Sequence, residues 1–270
     1  MNVFLCNDDT DSIFTAIYDA WASRLGHKNI RIFAGEPDNY ELFCEYIRVT
    51  PDPEKSKKVS DTIKRRLGSS NYSILCEAVM ADESYAASSR RKRSSSFSIT
   101  KADALYRTLL LAFSMEHPER IMECLGNPYV LYLFELSRNV QNEAHHLLGF
   151  LRFKELHSGI LFSEIHPKND VLPILGNHFC DRLPGENFMI YDANRKLALI
   201  HRALISDFLI ADASSLDQNM IRNYSSKELE YQKLWCGFFE SITIEARKNP
   251  ALQNQNIPKR FQKDAVEFQN

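Results

Sequence analysis

The chain has 270 residues, of which 44% are hydrophobic and 25% charged, with a formal net charge of −2. That is ordinary globular composition, with material for a sizeable core and no need of a disulfide or metal staple. A near-neutral balance excludes a polycation that coats nucleic acid with its whole surface, so any phosphate contact has to use local basic patches.

Residues 2–6 read as a short buried strand. Asp11 or Ser12 is placed to cap a helix whose Ile13, Phe14, Ile17, Tyr18 and Trp21 share one face, with Gly26 ending it. Residues 29–33 and 43–49 read as two more short strands, so the order β-α-β-β predicts a small sheet of the N-terminal region's own. Pro53 opens a helix at its first turn, where proline is tolerated. Positions 55–66 of that helix hold Lys55, Lys57, Lys58, Lys64, Arg65 and Arg66 against one acid, Asp61. Another helix begins at 74–80. The stretch from Ser88 to Ser96, with Arg90, Arg91, Lys92 and Arg93 in succession, has no apolar residue and reads as an exposed loop.

Helices are expected again at 101–116 and 118–125. Asn127-Pro128 is a start signal, an N-cap residue followed by proline at the first helical position, and the helix it opens runs to about 148. After Gly149 the hydrophobic period changes from about 3.6 to 2. Residues 150–156 and 160–165 read as strands joined by His157-Ser158-Gly159, 168–181 as a helix, and 188–192 with 197–201 as a second hairpin. A helix over 226–247 follows, with Tyr231, Leu234, Trp235, Phe238 and Ile242 on one face; beyond Asn249 the tail is polar. The expected fold class is α+β: a small N-terminal sheet with helices, a central helical segment, and a C-terminal β-β-α-β-β antiparallel sheet packed on helices. The expected organisation is an N-terminal region over 1–87, the exposed loop over 88–99, and the helical segment with the C-terminal domain over 100–270.

Cys6, Cys44, Cys76, Cys124, Cys180 and Cys236 lie far apart, with no CxxC spacing, which argues against a zinc ribbon, a thioredoxin-type motif or closely ligated iron–sulfur cluster. They are expected as free thiols in a reducing cytoplasm. No basic or long apolar run opens the chain and no stretch nears the ~20 apolar residues of a membrane span, so neither a signal peptide nor a membrane association is expected. The chain has no GxxxxGK[ST], GxGxxG, GxSxG or HExxH, so P-loop hydrolysis, Rossmann cofactor use and serine-hydrolase chemistry are not expected, and no cofactor is indicated.

Three clusters carry possible chemistry. At ~100° per residue, Glu143 projects into the apolar stripe of the 127–148 helix, with Asn139 and His146 at its edge. A carboxylate there has to find a partner, and Arg152 and Arg182 are candidates; the group is either a functional polar site or a structural ion pair. His178, Asp181 and Arg182 form the second cluster, four positions apart from first to last, suited to acid–base work or phosphate clamping, or simply to a helix end. The third is basic: helix 55–66, Arg90 to Arg93, and positions 247–263, which hold five basic residues and no acid.

The runs Gly149-Phe150-Leu151-Arg152-Phe153-Lys154-Glu155-Leu156, His178-Phe179-Cys180-Asp181-Arg182-Leu183-Pro184, Ile190-Tyr191-Asp192, Arg247-Lys248-Asn249-Pro250 and Pro258-Lys259-Arg260 give the chain a family likeness, joined by Thr15-Ala16-Ile17-Tyr18-Asp19-Ala20. It resembles a bacterial family assigned to DNA metabolism or DNA repair. The resemblance covers nearly the whole chain and is most specific from about 143 to 192. It implies a radical S-adenosylmethionine protein as the usual neighbour and partner, and a C-terminal half found elsewhere fused to uracil-DNA-glycosylase-like domains. It implies an association with DNA and no particular reaction. Position by position it points to Glu143, His178 and Asp181 as catalytic candidates, to Arg152, Arg182, Arg247, Lys259 and Arg260 as DNA contacts, and to Phe153, Asp192 and Asn249. The chain departs from the pattern where Asn7-Asp8 stands for a usual Asp-Gly, where Phe188 stands for a tryptophan, and in the Ser/Arg loop at 88–98, which resembles an insertion.

Three functions follow as expectations. A DNA-binding accessory protein predicts a basic concave surface lined by Arg152, Arg182, Lys259 and Arg260. An enzyme acting on damaged DNA or nucleotides, with Glu143, His178 or Asp181 as acid or base, predicts an enclosed pocket where those groups converge, and both of these readings expect Glu143, Arg152, His178 and Arg182 in one polar cluster between the 127–148 helix and the following sheet. An adaptor without nucleic-acid contact predicts an exposed apolar patch.

Overall fold

The computed structural model describes residues 1–37, 39–83, 99–262 and 265–268; the Ser/Arg stretch expected as a loop at 88–98 therefore lies outside the described residues. The chain divides into two compact units, Met1–Gln141 and Asn142–Asn270.

In the first unit, strand β1 (Asn2–Cys6) is central and pairs in parallel with both β2 (Ile30–Ala34) and β3 (Glu45–Arg48). Parallel neighbours need crossovers, and helix α1 (Thr10–Ala22) supplies the first. Its cap is Asp9 rather than Asp11 or Ser12: Asp9 accepts from the Ser12 amide at 2.8 Å and the Ser12 hydroxyl at 2.6 Å, which leaves Asp11 to accept from the Ser56 hydroxyl at 2.6 Å. Helix α2 (Pro53–Leu67) starts at its proline under an Asp52 cap. Helices α3 (Ser69–Met80) and α4 (Lys101–Ser114) complete the unit, with Ile13, Phe14, Leu75, Leu105 and Tyr106 fully buried among them. Burial pushes the Cys6 thiol up to about 12, with the charges of Asp9 and Asp8 adding to the rise.

Helix α5 (Pro128–Phe150) contains the boundary between the units. It continues through Gly149, where a strand was expected to begin: the Leu151 amide still reaches the Leu147 carbonyl at 2.8 Å, and the following strand β4 is only Lys154–Glu155. The second unit is a five-stranded sheet in the order β4-β5-β6-β7-β8, with β5 at Leu161–Ile165, β6 at Phe188–Asp192, β7 at Leu197–His201 and β8 at Phe208–Asp212. The mixed α/β class holds, but the sheet is not antiparallel throughout. Strands β5 and β6 are parallel, because helix α6 (Leu172–Arg182) carries the chain back between them, and β8 adds a strand that the pattern did not single out. Gly176 lets α6 lie close on the sheet: a β-carbon there would stand 2.6 Å from Leu199 and 2.7 Å from Phe208. A short helix α7 (Gln218–Ile221) precedes α8 (Ser226–Ser241), which stops short of 247 where the β-branched run Ile242-Thr243-Ile244 begins and the Thr243 hydroxyl bonds back to the Phe239 carbonyl at 2.6 Å. Helices α9 (Pro250–Asn256) and α10 (Lys259–Gln262) follow. Among the described residues, no helix is long and apolar enough to cross a membrane.

Candidate functional site

Two arrangements stand out, one in each unit. In the second unit Glu143, 2% exposed, faces the loop between β5 and α6. Its carboxylate accepts from the Lys168 amide at 3.1 and 3.2 Å, from the Asn169 amide at 2.8 Å and from the Asn169 side-chain amide at 2.8 Å, and pairs with Arg260 at 3.0 Å. The same loop is gripped from its carbonyl side. Asp192, fully buried, accepts from the Asn194 and Arg195 amides at 2.9 and 3.1 Å and pairs with the Arg195 guanidinium at 3.1 Å. Arg195 then donates to the carbonyls of Pro167 and Lys168, and the Asn194 side chain to Pro167 at 2.8 Å. Burial and the charge of Arg260 hold the Lys168 ammonium below its usual range.

This is a loop clamp. Every oxygen of Glu143 is committed, so it has no lone pair left to take a proton from a substrate. The partner of Glu143 is Arg260, drawn from the tail, and not Arg182. Arg152 turns to the carbonyls of Gly149 and Leu151, at 3.0 and 3.3 Å. Phe153 packs edge-on against Phe179 at 5.1 Å and against Phe188, the residue that stands for the family's tryptophan, at 5.5 Å. His178, Asp181 and Arg182 all lie on the exposed side of α6, so the expected convergence of Glu143 with His178 and Arg182 does not occur. Asn249 caps α9 by accepting from the Leu252 amide at 3.0 Å, and with exposed Arg247 it lines a cleft of about 770 Å³ between α8 and α9. Lys259 is exposed. Among the described residues no group of three or more His, Cys, Asp or Glu side chains is arranged to hold a metal ion.

In the first unit, helices α1, α2 and α4 enclose a cleft of about 600 Å³. Its floor is apolar, from Ile17, Ile63 and Leu109; its walls are the rings of Tyr18, Trp21 and Phe113; its rim carries Lys58, Arg65 and Arg66. Trp21 meets Phe113 edge-on at 5.6 Å, the Arg66 guanidinium lies 5.6 Å from the Phe113 ring, and Lys58 lies 5.9 Å from that of Tyr18. Lys55, by contrast, is already paired with Asp19 at 2.8 Å. Sequence reasoning placed the cations but assigned Tyr18 and Trp21 to a core face and passed over Phe113. The available signal was that the α1 stripe ends on its two largest rings while α2 opposite carries six cations against one acid over positions 55–66.

Residues 99–267 match a family described as a domain of unknown function, DUF4130. Comparison with curated proteins gives no match. A solved structure, described as the DHH domain of a member of a family of ribosomal proteins, is 9% identical, with a TM-score of 0.37 over 75% of this chain and 73% of that one.

Proposed function

The chain belongs to the DUF4130 family, a domain of unknown function; we propose that it is a DNA-associated accessory protein of a repair or modification system, meeting DNA through the basic cleft of its first unit. The observation that carries the reading is the rim. Lys58, Arg65 and Arg66 are exposed on the cleft side of α2 and none forms an ion pair with a described residue, which leaves their charge for phosphates in this reading. Exposed Arg182, Arg247 and Lys259 of the second unit are further phosphate contacts in this reading, whereas Arg260 is held by Glu143. The partner is the radical S-adenosylmethionine protein that the sequence resemblance implies. Catalysis by Glu143 has no support from its geometry.

Fluorescence anisotropy with a labelled oligonucleotide at two salt concentrations tests the reading. Binding is expected to weaken steeply with salt. Each phosphate contact contributes about −0.7 to −0.9 to the slope of log affinity against log salt, so Lys58→Ala/Arg65→Ala/Arg66→Ala should flatten the slope by about 2–3. Absence of binding at low salt, or an unchanged slope in the variant, overturns it.

One observation favours the adaptor as a second reading. Helix α8 leaves Tyr231, Leu234, Phe238 and Ile242 between 53% and 68% exposed along one face, an apolar surface of the kind that marks protein contacts.

A further inference from the structure

We propose that the cleft between α1, α2 and α4 takes an unpaired nucleobase, so that the DNA this protein recognises is single-stranded or locally unstacked. This rests on the DNA-binding reading above and gives it a substrate class. A cleft that served phosphates alone would need cations and no aromatic walls. Here the two are interleaved: three rings line the space and three cations edge it. The indole of Trp21 is fixed on its protein side by His27 at 4.8 Å, Tyr106 at 6.2 Å and Phe113 at 5.6 Å, yet stays 38% exposed. His27 is itself tied to the Tyr106 hydroxyl at 2.7 Å, so the aromatic wall is braced before any ligand arrives. A large ring held rigidly at a solvent-accessible edge is a stacking platform, because ordering it costs little when a base lies on it. At about 600 Å³ the space falls inside the range of small-molecule sites, ~300–1,000 Å³.

The same shape disfavours a duplex. In B-form DNA the base faces are covered by their neighbours, and a concave cleft walled by rings reaches them only when a base leaves the stack. The rim cations on α2 then meet the phosphates on either side of that base. A free mononucleotide shares this chemistry but supplies only one phosphate, and the strand is the ligand proposed here.

Trp21 and Trp235 are the chain's two tryptophans, so Trp235→Phe, a change remote in sequence from the cleft, leaves Trp21 as the sole indole probe. Titrating that protein with oligo-dT, a duplex of equal length, an abasic oligonucleotide of equal length and dTMP separates the possibilities. Oligo-dT is expected to quench Trp21; the abasic strand should bind through its phosphates without quenching; dTMP at the same concentration should leave the signal unchanged. By anisotropy, Trp21→Ala should weaken oligo-dT about tenfold and leave the abasic strand unaffected. Phe113→Leu, which keeps the cleft apolar, should reproduce a smaller loss and guards against misfolding of the first variant. If every DNA binds with Trp21 silent and both variants neutral, the base site is wrong while DNA binding stands. If dTMP alone quenches as strongly as the strand, the site serves free nucleotides and the strand proposal fails. If no oligonucleotide binds at low salt, the DNA reading itself falls.

Discussion

Glu143→Ala should destabilise the second unit by about 3–5 kcal/mol, chiefly from the buried N–H donors it leaves without their acceptor. The cost has three sources. The Asn169 amide and side chain, in a residue only 7% exposed, lose their shared acceptor; the Lys168 amide loses its own; and Arg260 is left without its counter-charge. Each buried donor left unsatisfied costs about 1–3 kcal/mol, so the amides account for most of the loss. Arg260 is 35% exposed and turns to solvent, so Arg260→Ala, which leaves the carboxylate its three N–H donors, should cost only about 1 kcal/mol. Because the chain has two compact units, Trp235 in a Trp21→Phe background is the probe, followed through urea denaturation. Equal effects of the two substitutions would show that the ion pair, and not the amide clamp, is what matters. Faster amide exchange confined to residues 166–170 would locate the change.

Lys101 plays the corresponding part in the first unit. It is 2% exposed, donates to the Val79 and Ala81 carbonyls at 2.7 Å each, and pairs with Asp8 at 2.7 Å. Its own amide donates to Glu83 at 2.6 Å, and Tyr132 donates to the same oxygen at 2.6 Å. Burial raises the Glu83 carboxyl, with the Tyr132 and Lys101 bonds pulling it back. Lys101→Met keeps the side-chain stem but strands two buried carbonyls, and should cost about 3 kcal/mol; Lys101→Ala should cost more by the cavity it adds. Asp8 is 55% exposed, so Asp8→Asn should cost under about 1 kcal/mol. Trp21 fluorescence in the Trp235→Phe background follows this unit. A large Asp8→Asn effect would mean that the ion pair outweighs the carbonyl contacts.

The parts of this protein that could be read from its sequence are those set by local periodicity and turn chemistry. Strands β6 and β7 fall at the positions expected, because each is a short apolar run beside a turn that Asp192 organises. Pro53 and Asn127-Pro128 mark helix starts for the reasons that proline and asparagine are favoured there. The burial of Glu143 followed from its phase on the stripe. Its partners did not. Asn169 was expected in the first turn of a helix over 168–181 but lies in the loop before that helix, which starts at Leu172, and Arg260 comes from the far end of the chain. The helix between β5 and β6 was expected, but the sheet around it was read as two antiparallel hairpins; a crossover helix joins parallel neighbours, and β5 and β6 pair in parallel. Helix α8 misleads in the opposite sense: its apolar spacing suggests a core face, but the face is exposed. Trp21 was assigned to the core for the same reason, since spacing places a residue on a stripe and cannot tell the middle of the stripe from its rim.

The most direct test of where this protein meets DNA is photochemical. An oligonucleotide carrying iodouracil, bound to the full chain and irradiated, transfers a cross-link to the aromatic ring nearest the base, which mass spectrometry then maps. The cleft predicts cross-links on Trp21, Tyr18 or Phe113, lost on addition of excess unlabelled single strand. Cross-links confined to residues 142–270, around Arg152, Arg182 or Arg247, would place the DNA on the other unit and contradict the account.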